Sequence, residues 1–412
     1  MAPVTSAAHA EAIRRVYPRV LSKLLAFAGS VADAEDAVHD AIERALSSWR
    51  VTGPPDSAEA WLVTVAQNAH RDRLRRVRRI DTHGDAVEVL ARLDPWERLA
   101  SAPEARGFDD ALLHLLFACC HPALEAGESA ALALSTVLGL SIEEVARAFV
   151  VAPRTMEQRL TRARRRLREE GDVAGTTPEA GLARLPAVLR VVHLLFDEGY
   201  WSGLDEAPIR ADLCRLAIGL AASVVETYPE IPEPLGLLAL LSLHEARRGA
   251  RLDARGAPIP LPDQDRTRWD QAAITAATSM LERALSRGAP GPFQVEAAIA
   301  AVHCRARSAD DTDWAEIAAL YSLLEGFRPT PAVRVNRAFA LGKAEGARAG
   351  LTLLARPDID AGSYPYAHLV RGALLAEAGE LDAARRALTE AARLARNAHE
   401  RCQIEARLAR LR

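Results

Sequence analysis

A chain of 412 residues with a net charge of −3 is long enough for two or three domains, and 49% apolar residues exclude general disorder. No apolar run approaches the roughly 18–20 residues that cross a bilayer, and the start, with Glu11, Arg14, Arg15 and Arg19, lacks the apolar stretch of a signal peptide. The near-neutral total argues against a nucleic-acid partner only if the charge is evenly spread, and it is not.

Aromatic residues make up only 5%, Ala, Leu and Arg dominate, and no sustained Val/Ile/Tyr alternation is bounded by hairpin turns. The expected fold is all-α. Only Lys23 and Lys343 are lysines, so the arginine excess is partly compositional and no single Arg informs by identity alone. Breaks rich in Pro, Gly and polar residues divide the chain into a first domain over 1–80, a linker over 81–107, a second domain over 108–171, a linker over 172–184, and a long helical domain over 185–412.

The first informative element is a helix over 32–49. Asp33, Asp36, Asp40 and Glu43 fall within an arc of about 80°, while Ala37, Ala41, Ile42, Ala45 and Trp49 lie opposite. Such an acidic stripe is either a solvated face or a docking surface for a basic partner. Residues 50–57 (RVTGPPDS) form a loop, because Gly-Pro-Pro cannot continue a helix. The next helix starts with Asp56 or Ser57 as its cap and Glu59 in its first turn. On it Thr64, Gln67, Asn68, Arg71, Arg75 and Arg78 share one arc, with Trp61 at its edge. Residues 71–79 read RDRLRRVRR, six arginines against one aspartate. Amides and arginines beside an aromatic suit phosphate contact and stacking on unpaired bases; arginines at a helix C-terminus are also favoured by the dipole alone.

In the second domain Ser141-Ile142-Glu143-Glu144 is a capping box. The helix it opens is apolar at Val145, Ala146 and Phe149, and a turn (Val150-Val151-Ala152) leads to Pro153 at the first position of another helix. There Met156, Leu160, Ala163 and Leu167 share one face, and Arg154, Glu157, Gln158, Thr161, Arg162, Arg165 and Arg168 the other. Residues 153–168 hold seven arginines against Glu157, a local charge of +6 that the total conceals. A short capped helix, a tight turn and a basic helix with polar residues at its start is helix-turn-helix geometry, which presents its second helix to the major groove.

These segments resemble a known family. DAEDAVHDAIERAL at 33–46 and AEAWLVTVAQNAHRDRLRR at 58–76 look like region 2 of a bacterial sigma factor, and GLSIEEVARAFVVAPRTMEQRLTRARRRLRE at 139–169 looks like region 4. Having only these two domains resembles the extracytoplasmic-function group. DDALLHLLFACCHPAL (109–124), LFDEGYWSG (195–203), IRADLCRLAIGL (209–220), DQDRTRWD (263–270) and DTDWAEIAALY (311–321) resemble a subgroup with a long tetratricopeptide-like C-terminal extension. The resemblance implies that Asp33, Asp36, Asp40 and Glu43 dock on the β′ clamp helices of core RNA polymerase. It also implies that Trp61, Asn68, Arg71 and Arg75 lie beside the melted −10 element of promoter DNA. Region 4 is implied to meet the β flap and to read the −35 element through Arg154, Thr155, Glu157, Gln158, Arg159, Arg162 and Arg165. Loop 50–57 corresponds to a segment that holds a flipped-out base. Region 2.3 here has a lone Trp61 where melting-competent relatives often have more aromatics, which implies stringent promoter choice.

In the last domain Gly372, Gly379, Ala384, Leu388 and Ala391 have the spacing of a tetratricopeptide unit, loosely echoed at 336–355. Stacked helix pairs of this kind offer a binding surface for a protein or intramolecular partner. Cys119-Cys120-His121 lacks a second pair at zinc spacing and reads as buried packing, and no CxxC pair or disulfide framework occurs. Asp263, Asp265 and Trp269 form a family-like motif without an evident mechanism. No nucleophile–base–acid set assembles, so no catalytic residue, enzymatic activity, metal or cofactor is expected. The sequence therefore predicts a cytoplasmic sigma factor with a regulatory C-terminal domain. The alternative is a helix-turn-helix regulator with a ligand- or partner-sensing helical domain.

Overall fold

The computed structural model describes residues 6–28, 30–80, 108–137, 140–149, 151–170, 178–200, 210–254, 256–356, 365–395 and 398–411. The described residues are 81% helical, and there is no strand among them. These residues form two compact units that divide between Leu194 and Leu195. The expected linker over 81–107 lies outside the described residues.

The first unit opens with α1 (Ser6–Ala28), α2 (Val31–Thr52) and α3 (Ala58–Ile80), which pack pairwise around one another. Ser30 caps α2, its Oγ accepting from the Asp33 amide at 3.1 Å. The apolar side of α2 is buried as its periodicity demands, through Ala37, Val38, Ala41, Ala45 and Trp49, although Ile42 is only half-buried. The helix outruns its expected end. It continues through Arg50 and Val51 to Thr52 and stops at Gly53, whose φ of +75° suits a residue without a Cβ and whose amide returns to Trp49 O. The loop is therefore shorter, 53–57. Glu59 joins α1 to the start of α3 by accepting from both Arg19 and Lys23 at 3.0 Å.

Next come α4 (Phe108–Cys119), α5 (Ala126–Leu132), a π-helical turn over Ala133–Val137, α6 (Ile142–Ala148) and α7 (Pro153–Glu170). α4 packs on α1, where the Ser22 hydroxyl and His114 Nδ1 are 2.9 Å apart. A further helix, α8 (Pro178–Tyr200), begins inside the span expected as the second linker, with Pro178 in its first turn, where no backbone N–H is required. Arg184 on α8 is buried and donates to Phe117 O at 3.2 Å.

The second unit is a succession of packed helices: α9 (Ala211–Thr227), α10 (Pro232–Glu245), α11 (Gln271–Leu285), α12 (Pro292–Arg305), α13 (Trp314–Phe327), α14 (Pro331–Glu345), α15 (Ala347–Leu354), α16 (Pro365–Glu377), α17 (Leu381–Leu394) and α18 (Ala398–Arg410). Each packs on the next, and α10 also touches α12, and α14 touches α16, the pattern of stacked helical hairpins. The glycine spacing has a steric origin. A Cβ on Gly372 of α16 would fall 2.6 Å from Leu388 Cγ of α17, and a Cβ on Gly350 of α15 would fall 2.5 Å from the Ala338 carbonyl oxygen. Gly379 turns between α16 and α17 at a φ of +79°. Ala384, Leu388 and Ala391 are buried, as the repeat spacing requires.

Candidate nucleic-acid interface

The helix-turn-helix is built as its residues dictate. Ser141 Oγ accepts from the Glu144 amide at 3.2 Å while Glu144 accepts from the Ser141 amide at 2.7 Å, which closes the capping box on α6. Val145 and Ala146 are buried beneath it. On α7 Met156, Leu160, Ala163 and Leu167 are buried and hold the helix against α5 and α6. The opposite side stays in solvent: Arg154, Thr155, Glu157, Gln158, Arg162 and Arg165 are exposed and Arg159 is half-buried. Among these, Arg165 pairs only with Glu169 on its own helix, at 3.5 Å. The first two turns thus present amide, hydroxyl and guanidinium groups of the kind that read base edges.

The stripe on α3 is less uniform. Thr64, Asn68 and Arg75 are exposed, but Gln67 is buried at 9% exposure, inside the helix triad rather than on the stripe. Arg71 is half-buried, with its guanidinium 5.4 Å above the Phe27 ring, and so covers the α1–α3 seam as well as facing outward. Trp61 is half-buried and meets Trp49 edge-on at 5.4 Å, leaving part of its ring accessible beside Thr64 and Asn68. The Arg78 side chain lies outside the described residues.

Asp33, Asp36 and Asp40 of α2 are partly exposed and carry partners. Asp36 accepts from Arg73 and from Arg168, each at 2.7 Å. Asp40 accepts from Arg73 at 3.0 Å, and Asp33 lies 3.6 Å from Arg168. Glu43 is exposed. Deeper in the same seam is a pair that lies off the acidic stripe. Glu35 is buried and accepts two bonds at 2.9 Å from Arg164 of α7, plus a third from Thr136 at 3.3 Å. Burial alone would lower the Arg164 pKa, but the hydrogen bond and charge of Glu35 raise it above its ordinary value. The signal was present in the sequence: Glu35 falls between Ala34 and Val38 on the apolar side of α2, where an acid needs a partner.

Cys119 and Cys120 are buried, and burial pushes the Cys119 thiol well above its usual range and Cys120 to about 12. His121 is half-buried, not buried, and its Nδ1 accepts from the Ala123 amide. No cluster of three potential metal ligands occurs among the described residues, and no described helix is long and apolar enough to cross a membrane.

Comparison with known proteins agrees with this geometry. Residues 12–80 match Sigma-70 region 2 and residues 114–167 match Sigma-70, region 4. Residues 184–285 match a family of unknown function (DUF6596). A protein of Rhizobium meliloti (strain 1021), described as uncharacterized protein R00370, is 41% identical over 394 residues, 95% of this chain and 93% of the relative. No solved structure matches. The two matched regions define a sigma factor, a class that is not enzymatic and that binds core RNA polymerase and promoter DNA to direct transcription initiation. The chain belongs to the sigma-70 family, in its extracytoplasmic-function-like form with a C-terminal extension.

Proposed function

We propose that the chain reads the −35 element with the exposed face of α7, through Arg154, Thr155, Glu157, Gln158, Arg159, Arg162 and Arg165. Trp61, Asn68, Arg71 and Arg75 of α3 contact the opened −10 element, and Asp33, Asp36, Asp40 and Glu43 of α2 dock on the β′ clamp helices, with region 4 on the β flap. The helical repeats of the second unit regulate this activity by taking a protein or intramolecular partner. The observation that carries the reading is the polar, basic start of α7, held outward by four buried residues on its other side.

The ion pairs of α2 bear on how docking proceeds. Arg73 and Arg168 occupy Asp33, Asp36 and Asp40, so a polymerase surface must exchange with them. Partly exposed pairs of this kind are worth about 0.2–1 kcal/mol each. The exchange therefore costs little against a large basic interface, and the same pairs leave the acids oriented along one side of α2.

Pull-down with purified core polymerase tests the docking role. The double variant D36R/D40R should keep its helical circular dichroism and lose retention on the core, because the guanidiniums it introduces repel a basic partner. Normal co-purification of a folded D36R/D40R chain contradicts the assignment. Promoter output from a chain ending at Leu194, the boundary between units, should differ from that of the full chain if the second unit regulates; equal output on every promoter contradicts that role.

A further inference from the structure

Beyond Arg162, every described arginine on α7 is held by an acid: Arg164 by Glu35, Arg165 by Glu169, Arg166 by Glu128, and Arg168 by Asp33 and Asp36. The start of the helix is different. Arg154, Glu157, Gln158 and Arg162 are all exposed, and none of these side chains has an ion pair or hydrogen bond among the described residues. Glu157 is the one acid among them, on a stretch whose charges sum to +6.

Its isolation follows from its spacing. A carboxylate on a helix pairs best with a base three or four residues further on. Those places hold the buried Leu160 and Thr161, whose hydroxyl donates to Glu157 O at 2.9 Å. Arg154, three residues earlier, stands in the less favourable order. The helix dipole does not account for an acid here either, since Glu157 is the fifth residue of α7 and the effect fades after the first turn. The carboxylate is thus left unneutralised on the exposed side of α7, about 60° round the helix from Arg154.

An ionised carboxylate can only accept hydrogen bonds, and DNA phosphates repel it. In the major groove the donors are the cytosine N4 and adenine N6 amino groups. Adenine sets its N7 acceptor beside that amino group and so opposes the second carboxylate oxygen, whereas cytosine presents a donor alone; guanine and thymine present acceptors alone. We infer that Glu157 is a specificity-determining residue of the −35 helix, accepting from the N4 amino group of one cytosine and rejecting the other three bases at that position. The inference rests on the reading of α7 as the −35 helix.

The test uses holoenzyme, the full chain with core polymerase, on genomic promoter fragments that it retains. The −35 window of such a fragment is randomised for selection, and competition binding then compares all four bases at each position. The wild-type chain should favour cytosine at one position by at least tenfold over thymine. E157A should lower that ratio below threefold there, keep the preferences at the other positions, and bind mismatched fragments more tightly, because a charge repelled by phosphate is gone. E157Q should move the preference to adenine, whose N6 and N7 an amide matches. A window with base preferences but no cytosine requirement, or a requirement that E157A or E157Q keeps, overturns the inference and leaves the α7 reading standing. A window without any base preference, or no retained fragment, overturns both. Glu157 is exposed, so neither variant threatens the fold.

Discussion

Arg154 and Arg162 sit one and nine residues into α7, exposed and clear of the ion pairs that hold Arg164, Arg166 and Arg168. That difference separates arginines available to DNA from arginines that secure the domain. If Arg154 and Arg162 read bases, alanine at either position should weaken −35 binding by about 1–3 kcal/mol, and unevenly across promoter variants. Fluorescence anisotropy with a set of single-base variants checks this, and a uniform loss would leave phosphate contact alone. Residue type and periodicity sufficed to find this face, because a surface residue's role follows from which side of one helix it occupies. They did not separate Arg162 from Arg168, which share that face. That distinction depends on Asp36, 132 positions away in sequence, and helical periodicity carries no information about such a partner.

Among the helices, α2 and α7 are joined by the most deeply placed pair of charges in the first unit. Changing one member leaves a buried Glu35 or a half-buried Arg164 without its counter-charge. Glu35→Gln or Arg164→Gln should therefore each cost about 2–3 kcal/mol, below the range for wholly buried pairs because Arg164 keeps 29% of its side-chain exposure. The double variant should cost much less than the sum, with a coupling above about 1 kcal/mol in urea unfolding; additive costs contradict the pairing. In the second unit the close approach of α14 and α15 rests on Gly350, whose added Cβ meets the backbone of Ala338 and Gly342 as well as the Leu374 side chain, and the backbone cannot swing aside. Gly350→Ala should lower stability by about 1–3 kcal/mol despite the better helix propensity of alanine. An unchanged melting temperature would show that the hairpin accommodates it. The repeat spacing at 372–391 revealed the packing of α16 on α17, because small residues at fixed intervals have one steric meaning. The earlier helices kept their apolar faces but not that spacing, so their pairing became visible only in the structure. Helix ends were the least legible feature: Gly53, not the Arg50 that opens the expected loop, ends α2, since the glycine's left-handed backbone and its bond to Trp49 O outweigh the polar character of 50–52.

For the chain as a unit, a net charge of −3 results from arginine-rich faces on α3 and α7 balanced by acids, some of them on α2. A protein that meets anionic DNA and a basic polymerase surface needs both signs in separate places, and a total cannot express that. The fold class and the two sigma regions were readable because helical periodicity, a capping box and an arginine-rich second helix are local features. The isolation of Glu157 was not, because it shows only against the ion pairs that take Arg164, Arg165, Arg166 and Arg168 once the first unit folds. The most direct measurement is run-off transcription with purified full chain and core RNA polymerase on a library of genomic promoter fragments. Initiation from a restricted set of promoters sharing −10 and −35 elements, lost with Arg154→Ala and with D36R/D40R, is the predicted result. Failure of the chain to direct the core polymerase to any fragment, or specific footprints by the chain alone that the core does not extend, would contradict it.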